Sequence, residues 1–472
     1  MRVLLIQPPF VRHKSERKIW HPPMGLAYLA AYIRKDHDVT ILDTVVEGFK
    51  NEFKLNGDNI YYGLDYNTIQ TKIINLAPDV VGISCLFSRQ IESALKVCSI
   101  VKNINPKIVT VMGGIHSSSM PEEVLSNQNV DYVVIGEGEL VFMNLLNYIS
   151  TGNPEYLGEG LGWKDNNKII ISPKKKFITN LDEIPFPAWD LLPLEKYFSI
   201  GLPHGIRLKN KRVLPIFTSR GCPFECCFCA SHSIWGRSYR KRSVQNVISE
   251  MEWLKEEFNI QMLLFEDDNL TLDRERANTI FERMIEKEFD FSWLTPNGLY
   301  VDSLDETMLR MMKKSGCQGI SIAVESGDPH ILKNVMRKKI NLEQVPKIIK
   351  AAKKLNLETS VFFIVGMPCE GKKELMNTLK LGRKLLADYT NYFFATPLPG
   401  SELLKMCRES NLITDALNYP SLIATHVCFS NKIIGMRRLR LYISREKIIL
   451  ILLQLIFRPH SFFRRMKRRF FS

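Results

Sequence analysis

The chain has 472 residues, with 64 Lys and Arg against 50 Asp and Glu, a formal net charge of +14. At about 100–200 residues per domain this length calls for two to four domains. An apolar share of 45% and a charged share of 24% exclude wholesale disorder. The charge is uneven. Residues 431–472 hold 12 Lys and Arg against one acid, Glu446, while the first 430 residues carry 52 basic and 49 acidic side chains. A nearly neutral body with a basic tail argues against a nucleic-acid groove through the core, which would need basic charge along it.

The first 150 residues alternate short β-rich runs with helical stretches. Strands are expected at Val3–Ile6, Val39–Leu42 (ended by Asp43), Asp79–Ser84, Lys107–Met112 (ended by Gly113-Gly114) and Tyr132–Ile135 (ended by Gly136). Gly25–Arg34 and Gln90–Asn103 have helical spacing of apolar residues. Near-continuous apolar strands between helices indicate a parallel sheet covered on both faces. Such a sheet takes ligands at the carboxyl ends of its strands. Residues 151–205 break the alternation, and Leu181–Leu192, with Pro185, Pro187 and Trp189, suggests an ordered linker. From Arg212 the alternation resumes, with strands expected at Val213–Thr218, Met262–Phe265, Ser292–Pro296, Gly319–Val324, Ser360–Val365 and Asn391–Ala395. Six βα units suit an open partial barrel better than a second doubly wound sheet. After Pro399-Gly400 the chain turns helical and then basic. The expected class is α/β. A doubly wound, Rossmann-like domain covers 1–150, a linker 151–205, a partial (β/α)6 barrel 206–400 and a helical extension 401–472.

Ten cysteines, four of them within eight residues, accompany a start in which Met1-Arg2 leads straight into Val3–Ile6. This pattern leads us to expect a reducing, cytoplasmic compartment and metal binding rather than disulfides. The cluster reads Cys222-Pro223-Phe224-Glu225-Cys226-Cys227-Phe228-Cys229, directly after an expected strand. Three thiolates on one loop hold three irons of a [4Fe–4S] cube and leave the fourth iron open. An open position marks a chemical site, as it does for catalytic zinc. The alternative is a zinc site or chance clustering, although zinc favours paired C-x2-C units and no second pair is present.

Ser219-Arg220-Gly221-Cys222-Pro223 running into Cys226 and Cys229, with Phe228 before the last cysteine, resembles the radical S-adenosylmethionine (SAM) enzymes over about residues 210–400. The resemblance implies that Cys222, Cys226 and Cys229 are the catalytic cluster ligands. It also implies that SAM chelates the open iron and that one electron cleaves it to methionine and a 5′-deoxyadenosyl radical. Phe228 matches the position near the adenine. Cys227 is outside the pattern and reads as a small buried residue. Glu266-Asp267-Asp268 stands where the family often has Gly-Gly-Glu contacting the SAM ammonium, so a carboxylate there suits the cation. Glu325 resembles the ribose-binding position. Gly366 suits close approach of backbone to the adenine. Taken alone, each acid would read as a solvated surface group or a helix cap.

Ser84-Cys85-Leu86 and, further on, Gly113-Gly114 resemble the serine and glycine turns around the nucleotide tail in cobalamin-binding domains. His21-Pro22-Pro23-Met24-Gly25-Leu26, Gly113-Gly114-Ile115-His116 and Gly136-Glu137-Gly138-Glu139 resemble the B12-binding domain fused to radical SAM enzymes. On this resemblance Ser84, Leu86, Gly113, Gly114, Gly136 and Glu137 bind cobalamin. The related Asp-x-His-x-x-Gly motif is missing after the first strand, where the chain reads Gln7-Pro8-Pro9, so no protein histidine is expected below cobalt. His13 and His116 are the candidates for that position, set against the more common reading of a lone histidine as a surface or packing residue.

The whole resembles a B12-binding radical SAM enzyme. In a methylase of this kind the deoxyadenosyl radical abstracts hydrogen from an unactivated carbon, methylcobalamin supplies the methyl group, and a second SAM restores it. The same domain order resembles the anaerobic magnesium-protoporphyrin cyclase group. A non-catalytic B12 or redox sensor at the membrane is the reading from another class. The expected partners are a small or lipid-like substrate and an electron donor such as flavodoxin or ferredoxin. The tail interleaves arginines with Leu439, Leu441, Ile448–Leu453, Phe462-Phe463 and Phe470-Phe471, which fits an interfacial helix on an anionic leaflet better than RNA binding, the alternative being an ordinary helix packed on the barrel with solvated arginines.

Overall fold

A computed structural model describes residues 1–55, 57–166, 168–201, 212–413, 417–422 and 424–470. In the first domain β1 (Arg2–Gln7), β2 (Asp38–Asp43), β3 (Val80–Ser84), β4 (Val109–Gly113) and β5 (Tyr132–Val134) are parallel and stand in the order β2-β1-β3-β4-β5. The order reverses between β1 and β3. Right-handed crossovers therefore place helices on opposite faces of the sheet on the two sides of this point. That explains the reading of the strands: Leu4, Leu5, Ile6, Val81 and Ile83 are all buried, with no polar face.

The segment expected to be only a linker extends this sheet. β6 (Leu161–Asp165) and β7 (Lys168–Ser172) form an antiparallel hairpin, and β6 pairs antiparallel with β5. A second small sheet, Phe10–His13 with Asn59–Tyr62 and Glu52–Lys54, was also not expected. Its strands have three or four residues, too few for a period-2 pattern to register. The rest of the connection is packed. Trp189 and Tyr197 are fully buried, and the Tyr197 hydroxyl donates to Asp43 at 2.5 Å. The expected boundary at 205/206 falls outside the described residues.

The second domain is an open sheet of six parallel strands: β8 (Val213–Ile216), β9 (Met262–Phe265), β10 (Ser292–Leu294), β11 (Cys317–Glu325), β12 (Glu358–Val365) and β13 (Tyr389–Phe394). Their spatial order is their chain order. Each right-handed crossover then places its helix on the same side, and the sheet curls into a partial barrel. Trp293 stacks on Phe281 of helix Arg274–Glu286 at 5.1 Å and meets Phe265 edge-on, filling the layer between sheet and helices. One apolar core runs through both domains. It includes Val3 and Leu5 of β1, Trp189 of the connection, and Leu214 and Trp293 of the barrel.

The extension ends in helices Met436–Phe457 and Pro459–Phe470. The first buries Leu439, Ile443, Glu446, Leu450 and Gln454 against the barrel. Arg383 holds Glu446, and Gln454 donates to the Ala387 carbonyl at 2.8 Å. Among the described residues no helix is long and apolar enough to cross a membrane.

Gly382, inside helix Lys372–Leu385, accepts the roughly 1 kcal/mol helix penalty of glycine for a packing reason. A Cβ there would lie 2.2 Å from the Tyr392 hydroxyl, and that ring is stacked on Phe363 and cannot yield. Gly382→Ala should cost about 1–3 kcal/mol by overpacking. The measurement is thermal unfolding. Adding Tyr392→Phe, which deletes the obstructing oxygen, should restore most of the lost Tm.

Candidate functional site

The cysteine loop leaves the carboxyl end of β8. Ser219–Arg220 pairs antiparallel with Arg240–Lys241, so the loop starts from a fixed ribbon. Gly221 then turns with φ +85°, and a Cβ would sit 2.2 Å from the Ser238 carbonyl oxygen, so only glycine fits. Two backbone bonds clamp the loop: Cys227 N–H donates to Met336 O at 3.0 Å, and Leu403 N–H donates to Cys227 O at 2.7 Å. Cys227 itself is fully buried. Cys222, Cys226 and Cys229 are free and partly exposed. The Asn269 amide donates to the Cys222 sulfur at 3.0 Å, and Ser231 N–H donates to that of Cys229 at 3.5 Å. Such donors orient a thiolate and tune the metal it binds.

Burial raises the Cys222 thiol above its usual range and pushes that of Cys226 up to about 11, so binding metal has to expel their protons. Among the described residues no three His, Cys, Asp or Glu side chains are grouped to hold one metal ion. A four-iron cube makes no such demand, because its three thiolates go to three different irons. The donor set fits a [4Fe–4S] cluster.

The acids expected near SAM divide. Asp268 is mostly buried beside the thiols. Burial and its neighbour Asp267 push it up to about 6, and its Oδ2 has no hydrogen-bond partner within the protein. An orphaned acid oxygen fits an ammonium group. Asp267 does not: its carboxylate accepts from Thr218 N–H at 3.1 Å, from the Thr218 hydroxyl at 2.7 Å and from the Ser219 hydroxyl at 2.5 Å. It braces the start of the cysteine loop, which corrects its expected cofactor contact. Glu266 is partly exposed at the end of β9.

Glu325 ends β11 at φ +67°, where the pairing with β12 slips. A bulge re-aims a side chain, and a non-glycine residue in this region stores about 1–3 kcal/mol of strain. Burial raises the Glu325 carboxyl above its usual range, opposed by Lys338, whose ammonium lies 3.4 Å away. The Cys226 and Cys222 thiols also act on Lys338, so thiols, acid and lysine form one electrostatic group. Phe228 packs against a separate apolar cluster that includes Cys227, Met336 and Met367. Gly366 ends β12 at φ +82°, its N–H donates to Glu370, and Leu439 of the tail helix lies over it.

In the first domain the predicted turns stand side by side at the carboxyl ends of β3 and β4, next to the β1/β3 switch point. Cys85 N–H donates to Gly113 O at 2.7 Å, which brings the Ser84 and Gly113 strand ends side by side. Gly114 has φ +103°, and a Cβ would lie 2.6 Å from the Cys85 carbonyl oxygen. Leu86 and Phe87 are both exposed at this edge. His116 is fully buried, its Nδ1 is 3.0 Å from the Ser88 hydroxyl, and its Nε2 has no partner within the protein. Burial pushes it down to about 4, so it is neutral. A side-chain-free turn and an orphaned ring nitrogen fit a polar cofactor tail. Gly136 ends β5 against Lys174. Glu137 is a correction. Its carboxylate is fully buried and bound by Arg220 at 3.1 Å, Arg240 at 2.7 Å and Ile178 N–H at 3.1 Å, so it faces protein rather than cofactor.

Sequence reasoning assigned no role to Asn269, Lys338 or Glu139. A basic run, Arg337-Lys338-Lys339, was the only available signal for the lysine. The two sites are neighbours: helix Ile115–Ser119, which follows Gly113-Gly114, packs on helix His232–Trp235, which follows the cysteine loop.

Comparison with known proteins agrees with this geometry. The family described as B12 binding domain matches residues 15–146, and the Radical SAM superfamily matches residues 216–382. The chain is 33% identical to cytidylyl-2-hydroxyethylphosphonate methyltransferase of Streptomyces wedmorensis, covering 87% of this chain and 82% of that one. It is 31% identical to the anaerobic magnesium-protoporphyrin IX monomethyl ester cyclase of Rubrivivax gelatinosus, covering 89% and 72%. The fold matches the radical SAM methyltransferase TsrM of Kitasatospora setae, solved with cobalamin and a [4Fe–4S] cluster, with a TM-score of 0.69 at 16% identity over 89% of this chain and 82% of that one. With the cysteine loop on one sheet and the glycine turn on the other, joined along a common core, the chain belongs to the cobalamin-dependent radical SAM enzymes.

Proposed function

We propose that the protein methylates a carbon atom of a small or lipid-like substrate. The observation that carries this reading is the packing of helix Ile115–Ser119 on helix His232–Trp235, which sets the cobalamin turn beside the cysteine loop. In such a site the cluster supplies the electron that cleaves SAM to a 5′-deoxyadenosyl radical, and cobalamin supplies the methyl group. The chain's own work is placement. Cys222, Cys226 and Cys229 hold the cluster, with Asn269 fixing the first sulfur. Asp268 receives the SAM ammonium, and Glu325, set by its bulge, receives ribose hydroxyls. Gly113 and Gly114 admit the cobalamin tail against backbone. An electron donor such as flavodoxin or ferredoxin completes the system. The Rubrivivax relative supports a cyclase-type reading of the same site. Transfer of isotopic label from the SAM methyl group into product separates the two.

The tail supports contact with an anionic membrane. At 3.6 residues per turn, Leu441, Ile448 and Leu452 lie opposite the buried Leu439, Ile443 and Leu450. All three are more than half exposed. Arg440 and Lys447 line one margin of this second apolar face, and Arg438 and Arg445 the other. An apolar strip between two cationic rows matches acyl chains flanked by anionic headgroups.

After anaerobic reconstitution with SAM and a reductant, the protein should form 5′-deoxyadenosine, and Cys226→Ala should lower the yield at least 100-fold. No 5′-deoxyadenosine from the intact protein would sink the enzyme reading. In a flotation assay the full chain should rise with vesicles containing phosphatidylserine at low salt. Ile448→Glu with Leu452→Glu should abolish this while leaving the barrel-facing side intact. Equal flotation with purely zwitterionic vesicles would overturn the electrostatic part.

A further inference from the structure

Four charged side chains meet out of water where the domains join. Arg220 donates through Nη1 to Glu137 at 3.1 Å and through Nη2 to Glu139 at 2.7 Å. Arg240 donates to the same Glu137 oxygen at 2.7 Å, to Ile178 O at 2.7 Å and to Trp235 O at 2.9 Å. The Arg220 guanidinium is also sandwiched, 5.1 Å from the Tyr28 ring and 4.8 Å from that of Trp235. Both arginines and both glutamates are buried. Lys174, partly buried, is a further cation acting on the two glutamates.

The placement gives this network its meaning. Arg220 stands two residues before Cys222, on the ribbon that launches the cluster loop. Glu137 and Glu139 stand just beyond β5, Glu139 being the first residue of helix Glu139–Thr151. A guanidinium holds two separate carboxylates at fixed angles, which a point-charge ammonium does not. We propose that Arg220, gripped by Glu137 and Glu139, is a positioning residue that sets the separation and orientation of the cluster relative to cobalamin. Its guanidinium is taken up by protein partners, the two glutamates and the Tyr28 and Trp235 rings. It fixes the two carriers of reactivity to one another while substrate enters between them. The inference rests on the reading that both cofactors bind.

The test uses the full chain reconstituted with its cluster and cob(II)alamin, the cluster being reduced so that both centres are paramagnetic. Spin–spin coupling between them reports their distance by pulsed electron paramagnetic resonance and needs no substrate. Intact protein should give one narrow distance. Arg220→Lys, which keeps charge but loses the fork, should at least double the width of the distribution or shift its centre. Each centre's own spectrum and stoichiometry should stay unchanged. The isosteric Glu139→Gln should give a smaller change in the same sense, and it serves as the test if Arg220→Lys does not fold. An unchanged distance distribution in a folded variant overturns the positioning role. Absence of iron–sulfur or corrin absorbance from the reconstituted intact protein overturns the cofactor reading itself, and the inference with it.

Discussion

A charge taken out of water has to be answered by a partner. The seam between the two domains is built on that constraint. Removing one member of a buried ion pair costs about 3–5 kcal/mol, whereas an apolar replacement of the whole pair is often neutral. The Arg220–Glu137–Glu139–Arg240 group is therefore poorly explained as a source of stability, since the continuous apolar core across both sheets already supplies adhesion. What such a group does supply is direction. Apolar surfaces slide on one another at small cost, while a forked donor between two acceptors has one good geometry.

That geometry matters because of how each sheet carries its chemistry. In the first sheet the strand order reverses between β1 and β3, and the crevice at that point opens beside Ser84 and Gly113. In the second the order never reverses. The reactive positions are spread along one rim instead: Cys222 after β8, Asp268 after β9, Glu325 at the end of β11 and Gly366 after β12. Parallel strands put all of these at carboxyl ends. Two rims with separate tasks are useful together only if they face each other. The packing of helix Ile115–Ser119 on helix His232–Trp235 achieves this, and Gly400 lies where a side chain would strike both Ser119 and Ser233.

Much of this was legible in the sequence. All eleven expected strands are present within a few residues of their expected ends, because interior parallel strands are nearly pure apolar runs. The cysteine triplet was legible because its ligands are local. What was not legible is long in range or weak in pattern. The hairpin Leu161–Ser172 looked like linker because its residues alternate with lysines and glycines. Asn269 meets Cys222 across 47 positions, and Arg220 meets Glu139 across 81, so neither spacing is a signal. Glu137 was assigned to cofactor because a glycine-flanked acid at a strand end has the same local pattern whether it meets a ligand or an arginine. Only the fold distinguishes them. Asp267 and Asp268 show the same limit: adjacent in the chain, one is saturated by Thr218 and Ser219 while the other keeps an unpartnered oxygen.

The tail helix resolves the net charge of +14 in a similar way. The sequence suggests an interfacial helix, with a helix packed on the barrel as the alternative, and the helix does pack on the barrel. Its inward face is anchored by Arg383 on Glu446 and by Gln454 on the carbonyl before Asp388. Its first turn places Leu439 over Gly366 at the carboxyl rim, while Gln454 reaches the opposite, amino-terminal side of β13. It therefore runs the length of the barrel wall. A rigid helix fixed at both ends cannot rotate, so its outward strip of Leu441, Ile448 and Leu452 has one orientation relative to the rim. Whatever surface that strip meets is thereby held at a constant angle to the site where SAM and substrate come together. The charges that act on the thiols, Asp268 and Glu325 are local: burial leads at each, Lys338 opposes it at Cys222, Cys226 and Glu325, and Asp267 adds to it at Asp268.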